Sequence, residues 1–295
     1  MQLAVYSQVL KPRDVAYVQA LFDALDEAGV SAYVFAPYHA ACVEAGIDFR
    51  RGVGTFEGHL DFRVKRFDFV VALGGDGTIL RATTLIRDTC VPIVGINLGR
   101  LGFLASIEKS MIAATVEQLK AGYYQIEVRE MLELVGERSL FGDLPFALND
   151  FTLLKRDTSS MITVHAYVNG EYLNSYWADG LIVATPTGST GYSLSCGGPI
   201  VFPGSGNFVV TPVAPHNLNV RPVVISDDAV VSFEVEGRAD NFLATLDSRH
   251  AVIDESDNPL AVRKNPFKTR LVRIGANGFQ RTIRGKLNWG ADARN

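Results

Sequence analysis

Residues 71–78 read Val71-Ala72-Leu73-Gly74-Gly75-Asp76-Gly77-Thr78, an apolar strand that runs straight into two glycines, a carboxylate, a third glycine and a hydroxyl. Glycines let the backbone come close to a polyanion and turn its N–H groups toward phosphoryl oxygens, and a helix starting near Thr78 adds the positive end of its dipole. A strand that enters a helix through such a turn is a unit of an α/β layer, where ligands gather at the carboxyl ends of the strands. Asp76 is the odd member. A carboxylate beside phosphates is repelled unless it serves a metal or an acceptor hydroxyl, so it reads as a base for phosphoryl transfer. The plainer alternative is that Asp76 caps the helix that follows.

Working outward, the chain before this turn alternates strand and helix. Leu3 to Val9 reads as a strand; Val15, Val18, Phe22 and Leu25 recur at helical spacing, with Gly29 as the stop. Ala32 to Ala36, Phe69 to Leu73 and Ile93 to Ile96 are short apolar runs without alternation, as parallel strands buried on both faces should be. Helices are expected after Thr78 and from Met111 to Ala121, the second capped by Ser110 and ended by Gly122.

Beyond Tyr124 the rhythm changes. Arg129–Val135, Phe151–Lys155, Met161–Val168, Glu171–Trp177, Leu181–Ala184, Val230–Val235 and Phe242–Leu246 are strand-like, and Asn169-Gly170 between two of them is a strong hairpin signal. The expected architecture is an α/β open-sheet domain, residues 1–124 plus about 267–295, carrying the glycine turn, and a mostly antiparallel, sandwich-like β domain over 125–266, the two sharing a cleft. Phe279 to Leu287 is expected to form a short helix as the chain returns to the first domain.

Composition narrows the class. A chain of 295 residues with 47% hydrophobic and 20% charged side chains is an ordinary globular protein long enough for two domains. Its net charge of −4 lacks the basic footprint of a nucleic-acid surface. Cys42, Cys90 and Cys196 are widely spaced without a CxxC pair, which fits a reduced cytoplasmic interior. The five histidines show no metal-ligand spacing, so no protein metal site is expected. No apolar run approaches the roughly 18 residues that span a bilayer, and the N-terminus has no export signal, so no membrane partner is expected.

A second glycine-rich stretch runs from Ala178-Asp179-Gly180 through Thr185-Pro186-Thr187-Gly188-Ser189-Thr190-Gly191-Tyr192-Ser193-Leu194-Ser195 to Gly197-Gly198-Pro199. Hydroxyls and freed amides bind ribose and pyrophosphate oxygens without adding charge, and Tyr192 offers a face for a base. A polar surface loop is the bland alternative; the opening Asp179 and the apolar frame favour a ligand loop. Neither glycine stretch is a Walker A loop, and no Gly-x-Gly-x-x-Gly follows the first strand, which disfavours P-loop NTPases and Rossmann dehydrogenases.

Taken together, Gly74 to Thr78, then Asn97-Leu98-Gly99-Arg100-Leu101-Gly102-Phe103, then Asn149-Asp150, then the Asp179 to Pro199 stretch closely resemble the NAD kinase family, in order and spacing over nearly the whole chain. Pro212, Pro215-His216-Asn217-Leu218, Arg221-Pro222 and Leu246-Asp247-Ser248 also look like family segments. The resemblance implies transfer of the γ-phosphoryl group of ATP to the 2′-hydroxyl on the adenosine ribose of NAD, giving NADP, with Mg²⁺ or another divalent cation on the donor. Carried over by motif, Asp76 is the proton acceptor and Gly77 belongs to its turn, with Arg81 one helical turn on. Asn149 and Asp150 contact the adenosine half, Asp179 the nicotinamide end, and Thr190, Gly191, Tyr192, Ser193, Leu194 and Ser195 wrap the dinucleotide. Trp177, Ala214 and Arg249 line the site. The resemblance also implies a homodimer or homotetramer.

The sequence departs from the family pattern in places. Asp150 stands for the frequent Glu, Gly191 for alanine, Trp177 for an Arg of many bacterial relatives, and Leu104 for an aromatic residue of some. Two other readings stay open: a lipid or sphingoid kinase of the same superfamily, which shares the first motif, and a dinucleotide sensor without turnover. The polar loop from Asp179 to Ser195 argues against an apolar acceptor, and an intact Asp76 against the sensor.

Overall fold

The computed structural model describes residues 1–99, 101–156, 160–238, 241–275 and 278–289. Two compact units emerge, Met1–Val128 together with the chain from Thr269 onward, and Arg129–Lys268. In chain order the first contains β1 (Gln2–Tyr6), α1 (Val15–Ala28), β2 (Ser31–Phe35), α2 (Ala36–Glu44), β3 (Gly54–Phe56), α3 (His59–Lys65), β4 (Phe69–Leu73), α4 (Asp76–Ile86), β5 (Ile93–Asn97), β6 (Ile107–Glu108), α5 (Ile112–Ala121) and β7 (Gln125–Arg129). The second contains β8 (Leu132–Val135), β9 (Phe146–Ala147), β10 (Asp150–Lys155), β11 (Ile162–Val168), β12 (Glu171–Ala178), β13 (Gly180–Ala184), α6 (Tyr192–Ser195), β14 (Asn207–Val213), β15 (Val223–Ser226), β16 (Val231–Gly237), β17 (Phe242–Leu246), β18 (Arg249–Ile253) and β19 (Leu260–Lys264). The chain then returns to the first sheet with β20 (Thr269–Arg273) and ends its described part with α7 (Phe279–Leu287).

The first sheet runs β3-β2-β1-β4-β5-β20-β7, with β6 beside β5. β1 lies parallel between β2 and β4, and β5 is parallel to both β4 and β20. Every residue of β4 and β5 is buried, which is why these runs show no alternation. On α1, Val18, Leu21, Phe22 and Leu25 form the buried face, which packs on α5. Left-handed Gly29 (φ 67) and Gly122 (φ 77) close those two helices as their positions in the sequence implied. The order of strands reverses between β1 and β4, so the loops after them open a crevice at the carboxyl edge of the sheet.

The second unit is two six-stranded antiparallel sheets, β15-β14-β13-β10-β17-β18 and β12-β11-β16-β19-β8-β9. Phe151, Phe208 and Phe242 from one and Val164, Tyr176 and Phe233 from the other share one core. Phe151 and Phe233 stack across it with ring centroids 5.7 Å apart, which makes the unit a sandwich. Asn169 (φ 53) and Gly170 (φ 82) form the turn between β11 and β12, both in the left-handed conformation that a two-residue hairpin demands.

Several expectations are corrected. The stretch Arg129–Val135 is two strands in different sheets, broken at Glu130 and Met131, because buried Arg129 turns to donate to the Thr187 hydroxyl while the Met131 carbonyl accepts from Asn265. The first strand stops at Tyr6, where the Ser7 hydroxyl is drawn to the Leu73 carbonyl. Ala36 opens a helix, with Pro37 in its first turn, and does not end a strand. Ser110 is no cap: it sits inside a 3₁₀ turn, Lys109–Met111, and Met111 precedes the helix without a side-chain cap. Helices α2, α3 and α6 and strands β3, β6, β9, β14, β15, β18, β19 and β20 were not anticipated.

Candidate active site

The first unit supplies the acid. Gly75 is the N-cap residue of α4 and Asp76 its first residue, yet the Asp76 carboxylate does not cap that helix. It turns to the loop after β5: Oδ2 accepts the Phe103 amide at 2.8 Å, and Oδ1 the amides of Leu104 and Ala105, each at 3.0 Å. A carboxylate has about four acceptor positions, so among the described residues Oδ1 is saturated and Oδ2 keeps one free lone pair. Gly102 is buried against this acid; a Cβ there would stand 1.9 Å from Asp76 Oδ1. Arg273 braces the same loop by donating to the Ser106 hydroxyl at 2.6 Å, while Glu127 takes its Nε–H. Asn97 Oδ1 accepts the Gly99 amide at 2.7 Å and turns the loop. Arg100, inside the same sequence motif, lies outside the described residues.

Beside the turn, at the crevice between the β1 and β4 loops, is a cavity of about 300 Å³ lined by Ser7, Lys11, Arg13, Gly74, Gly75, Thr78 and Asn97. Lys11, Arg13 and the N-terminus of α4 border it together with one buried carboxylate, Asp14, 3.9 Å from Arg13 Nε, which leaves a net positive setting for phosphoryl oxygens. Gly77 is exposed in the first turn of α4. Arg81 is exposed too, and its charge opposes the burial that raises the Tyr6 phenol. Sequence reasoning missed Ser7, Lys11 and Arg13, since the first loop carries no glycine fingerprint and only the strand order makes it a neighbour of Gly74.

The second unit gathers most of the remaining residues. Asn149 and Asp150 enter β10 pinned from one side by Thr185, whose amide donates to the Asn149 carbonyl (2.8 Å) and whose hydroxyl donates to that of Leu148 (2.6 Å). Gly188 packs so closely there that a Cβ would stand 2.0 Å from the Asn149 carbonyl oxygen. From the other side, the Asp247 carboxylate accepts the amides of Leu148 (3.1 Å), Asn149 (2.8 Å) and Asp150 (3.4 Å). Both side chains point to the turn of the second motif: a Cβ at Gly191 would lie 3.9 Å from Asn149 Nδ2 and equally far from Asp150 Oδ2.

Electrostatics around this pair is unusual. Asp150 is 7% exposed, and burial, followed by the neighbouring Asp247 charge, pushes its carboxyl up to about 7. Tyr192 is half-exposed on α6; its phenol is raised by burial, then by Cys196, Asp179 and Asp150, which puts both acids close to the ring. Asp179 pairs with Lys155 at 2.6 Å and donates its amide to the Val213 carbonyl. Next along are Ala214, exposed and left-handed at φ 44, and His216, whose ring lies 4.2 Å from that of exposed Trp177. Arg249 spends its guanidinium on the carbonyl oxygens of Leu144 and Phe146.

The hydroxyl-rich run differs from its reading as a row of free ligands. Thr187, Ser189 and Ser193 are buried and work inside the turn: Thr187 accepts from Arg129, Ser189 donates to the Pro186 carbonyl, and Ser193 pairs with Thr211 at 2.8 Å. Leu194 and Thr190 are partly buried, and the Thr190 hydroxyl bonds back to the Thr187 carbonyl. Tyr192 and Ser195 are the members that face outward. The turn is therefore rigid and presents backbone, one ring and one hydroxyl.

Comparison with known proteins gives a consistent result. The profile of the ATP-NAD kinase N-terminal domain matches residues 39–124, and that of the ATP-NAD kinase C-terminal domain residues 148–274. The chain is 46% identical over 295 residues to an NAD kinase of Cytophaga hutchinsonii and 43% identical over 297 residues to one of Flavobacterium psychrophilum, each match covering 100% of both chains. Among solved structures, an NAD kinase of Archaeoglobus fulgidus in complex with ATP superposes with a TM-score of 0.75 at 27% identity, over 98% of this chain and 99% of that one. Yeast NADH kinase complexed with NADH shares the fold, with a TM-score of 0.86 at 23% identity over 99% of this chain and 89% of that one.

Proposed function

The chain belongs to the NAD kinase family, and we propose that in its reaction, phosphoryl transfer from ATP to the 2′-hydroxyl on the adenosine ribose of NAD, Asp76 takes the acceptor proton. The observation that carries this reading is the single free lone pair on Asp76 Oδ2, beside a glycine turn, a helix N-terminus and a cavity with two cations. A loose phosphoryl-transfer transition state asks little of the base, because the hydroxyl proton becomes acidic only as the new bond forms.

The cavity at Ser7, Lys11, Arg13 and Gly74 receives the donor phosphates in this reading, with Gly77 and Arg81 at its border. Asn149 and Asp150 bind the adenosine half, Asp179 the nicotinamide end, and the turn Thr190 to Ser195 meets the dinucleotide with its backbone, the Ser195 hydroxyl and the Tyr192 ring against a base, while Thr190, Ser193 and Leu194 shape it from within. Trp177, Ala214 and Arg249 line the same site. A divalent cation such as Mg²⁺, when bound, neutralises charge on the transferring group. Asp76 is the one acid in the glycine turn and the described residues gather no group of three His, Cys, Asp or Glu, a donor set that fits a cation carried by the nucleotide. We also assign the protein to the cytoplasm, on its free Cys42, Cys90 and Cys196, and expect a homo-oligomer.

Purified protein with ATP, Mg²⁺ and NAD, read by an NADP-specific dehydrogenase, tests the reaction. Asp76→Asn should lower turnover about 10²- to 10⁴-fold while NAD still binds. Wild-type turnover in the folded variant would remove Asp76 from the role of base.

A further inference from the structure

The hairpin between β17 and β18 turns through Asp247, a non-glycine residue held left-handed at φ 52. Such a conformation persists where the surroundings over-determine it. Here the Asp247 carboxylate collects three successive amides, those of Leu148, Asn149 and Asp150, and its own N–H donates to the Asp150 carbonyl at 3.0 Å. We infer that Asp247 is a positioning residue for the dinucleotide: it sets the backbone of Asn149 and Asp150 and holds the negative charge of the acid pair, which leaves Asp150 a carboxylic acid that donates its proton to a ligand oxygen. The inference rests on the dinucleotide-binding role proposed for Asn149 and Asp150.

Two carboxyl groups this close do not both ionise readily. Burial raises Asp247, but the amides and the Arg249 guanidinium pull it back toward the charged form. Asp150 has no such help: among the described residues nothing donates to its carboxyl oxygens, and it is buried. The proton therefore stays on Asp150 as pH rises toward neutrality, which agrees with its carboxyl being pushed up to about 7. Among the described residues the charged or titratable groups close to it are Asp247, with Arg249 behind it, from the hairpin and Tyr192 from α6, whose ring Asp179 also approaches. An acid at 150 thus offers a donor to a ribose or phosphate oxygen that a carboxylate would only repel or accept from.

The test follows dinucleotide binding and KM for NAD between pH 5.5 and 9. In the wild type both should weaken as pH rises through about 7, with kcat much less affected. Asp247→Asn removes the charge, so the inflection should move down by about one pH unit; a merely structural role for Asp247 would weaken binding equally at every pH and leave the inflection in place, which would overturn the inference. Asp150→Asn keeps a donor without titrating and covers the case in which Asp247→Asn does not fold. Its binding, whatever its strength, should become flat with pH, and a persisting inflection would refute the assignment. Absent turnover with the binding inflection intact would count against the proposed reaction alone.

Discussion

Gly102 and Asp76 touch so closely that no side chain fits between them: a Cβ at 102 would stand 1.9 Å from Asp76 Oδ1. The same loop gives that acid three amides, so its position depends on the loop's path. Gly102→Ala should lower kcat by about 10²-fold, the cost of displacing a reacting group by about 1 Å, and leave KM for NAD nearly unchanged. Steady-state kinetics checks this, with thermal unfolding to confirm that the variant folds; unchanged kcat would mean that the loop yields and the acid does not.

Gly188→Ala addresses the other unit. The added methyl would meet the Asn149 carbonyl at 2.0 Å and push the Asn149–Asp150 backbone off the turn. Overpacking of this sort costs about 1–3 kcal/mol, so the variant should melt earlier and its KM for NAD should rise about tenfold. A rise in KM for ATP with NAD unaffected would contradict the division of labour between the units.

Lys11→Ala with Arg13→Ala should raise KM for ATP about tenfold and weaken the salt dependence of that parameter, since both cations line the cavity beside Gly74 and Gly75. KM for NAD should hold. Initial rates at two ionic strengths distinguish this outcome from a general loss of activity.

Asp150 also leaves a mark on stability. Its carboxyl, at about 7 in the folded chain, is raised from the ordinary 3.8. A raised carboxyl favours the folded state below the unfolded value and loses that contribution as pH climbs through the folded one, a cost of about 4 kcal/mol at most above pH 7. Asp150→Asn should therefore gain clearly more in thermal midpoint relative to wild type at pH 8 than at pH 4.5. Equal differences at both pH values would mean that Asp150 does not titrate in this range.

Local pattern was enough for much of the fold. Unbroken apolar runs at Phe69–Leu73 and Ile93–Ile96 marked buried parallel strands, the Val15 to Leu25 spacing marked α1, and Asn169-Gly170 marked a hairpin, because each depends on side chains within a few residues of one another. The break at Glu130 and Met131 was missed for the opposite reason: what bends the chain is Arg129 reaching Thr187, distant in sequence.

Residue identity pointed to phosphoryl chemistry through an acid among glycines and a hydroxyl-rich turn, and the order and spacing of these motifs carried the resemblance to the NAD kinase family. Which of those groups face a ligand was decided by packing. Ser189 and Ser193 look like ligands in the sequence and are interior struts in the folded unit, whereas Lys11, Arg13 and Asp247 acquire meaning only when strand order and hairpin register bring them beside Gly74 and Asn149. Hydrogen bonds and charge act over a few ångströms of space, and that distance is set by the way the sheets pair, which no run of neighbouring residues encodes.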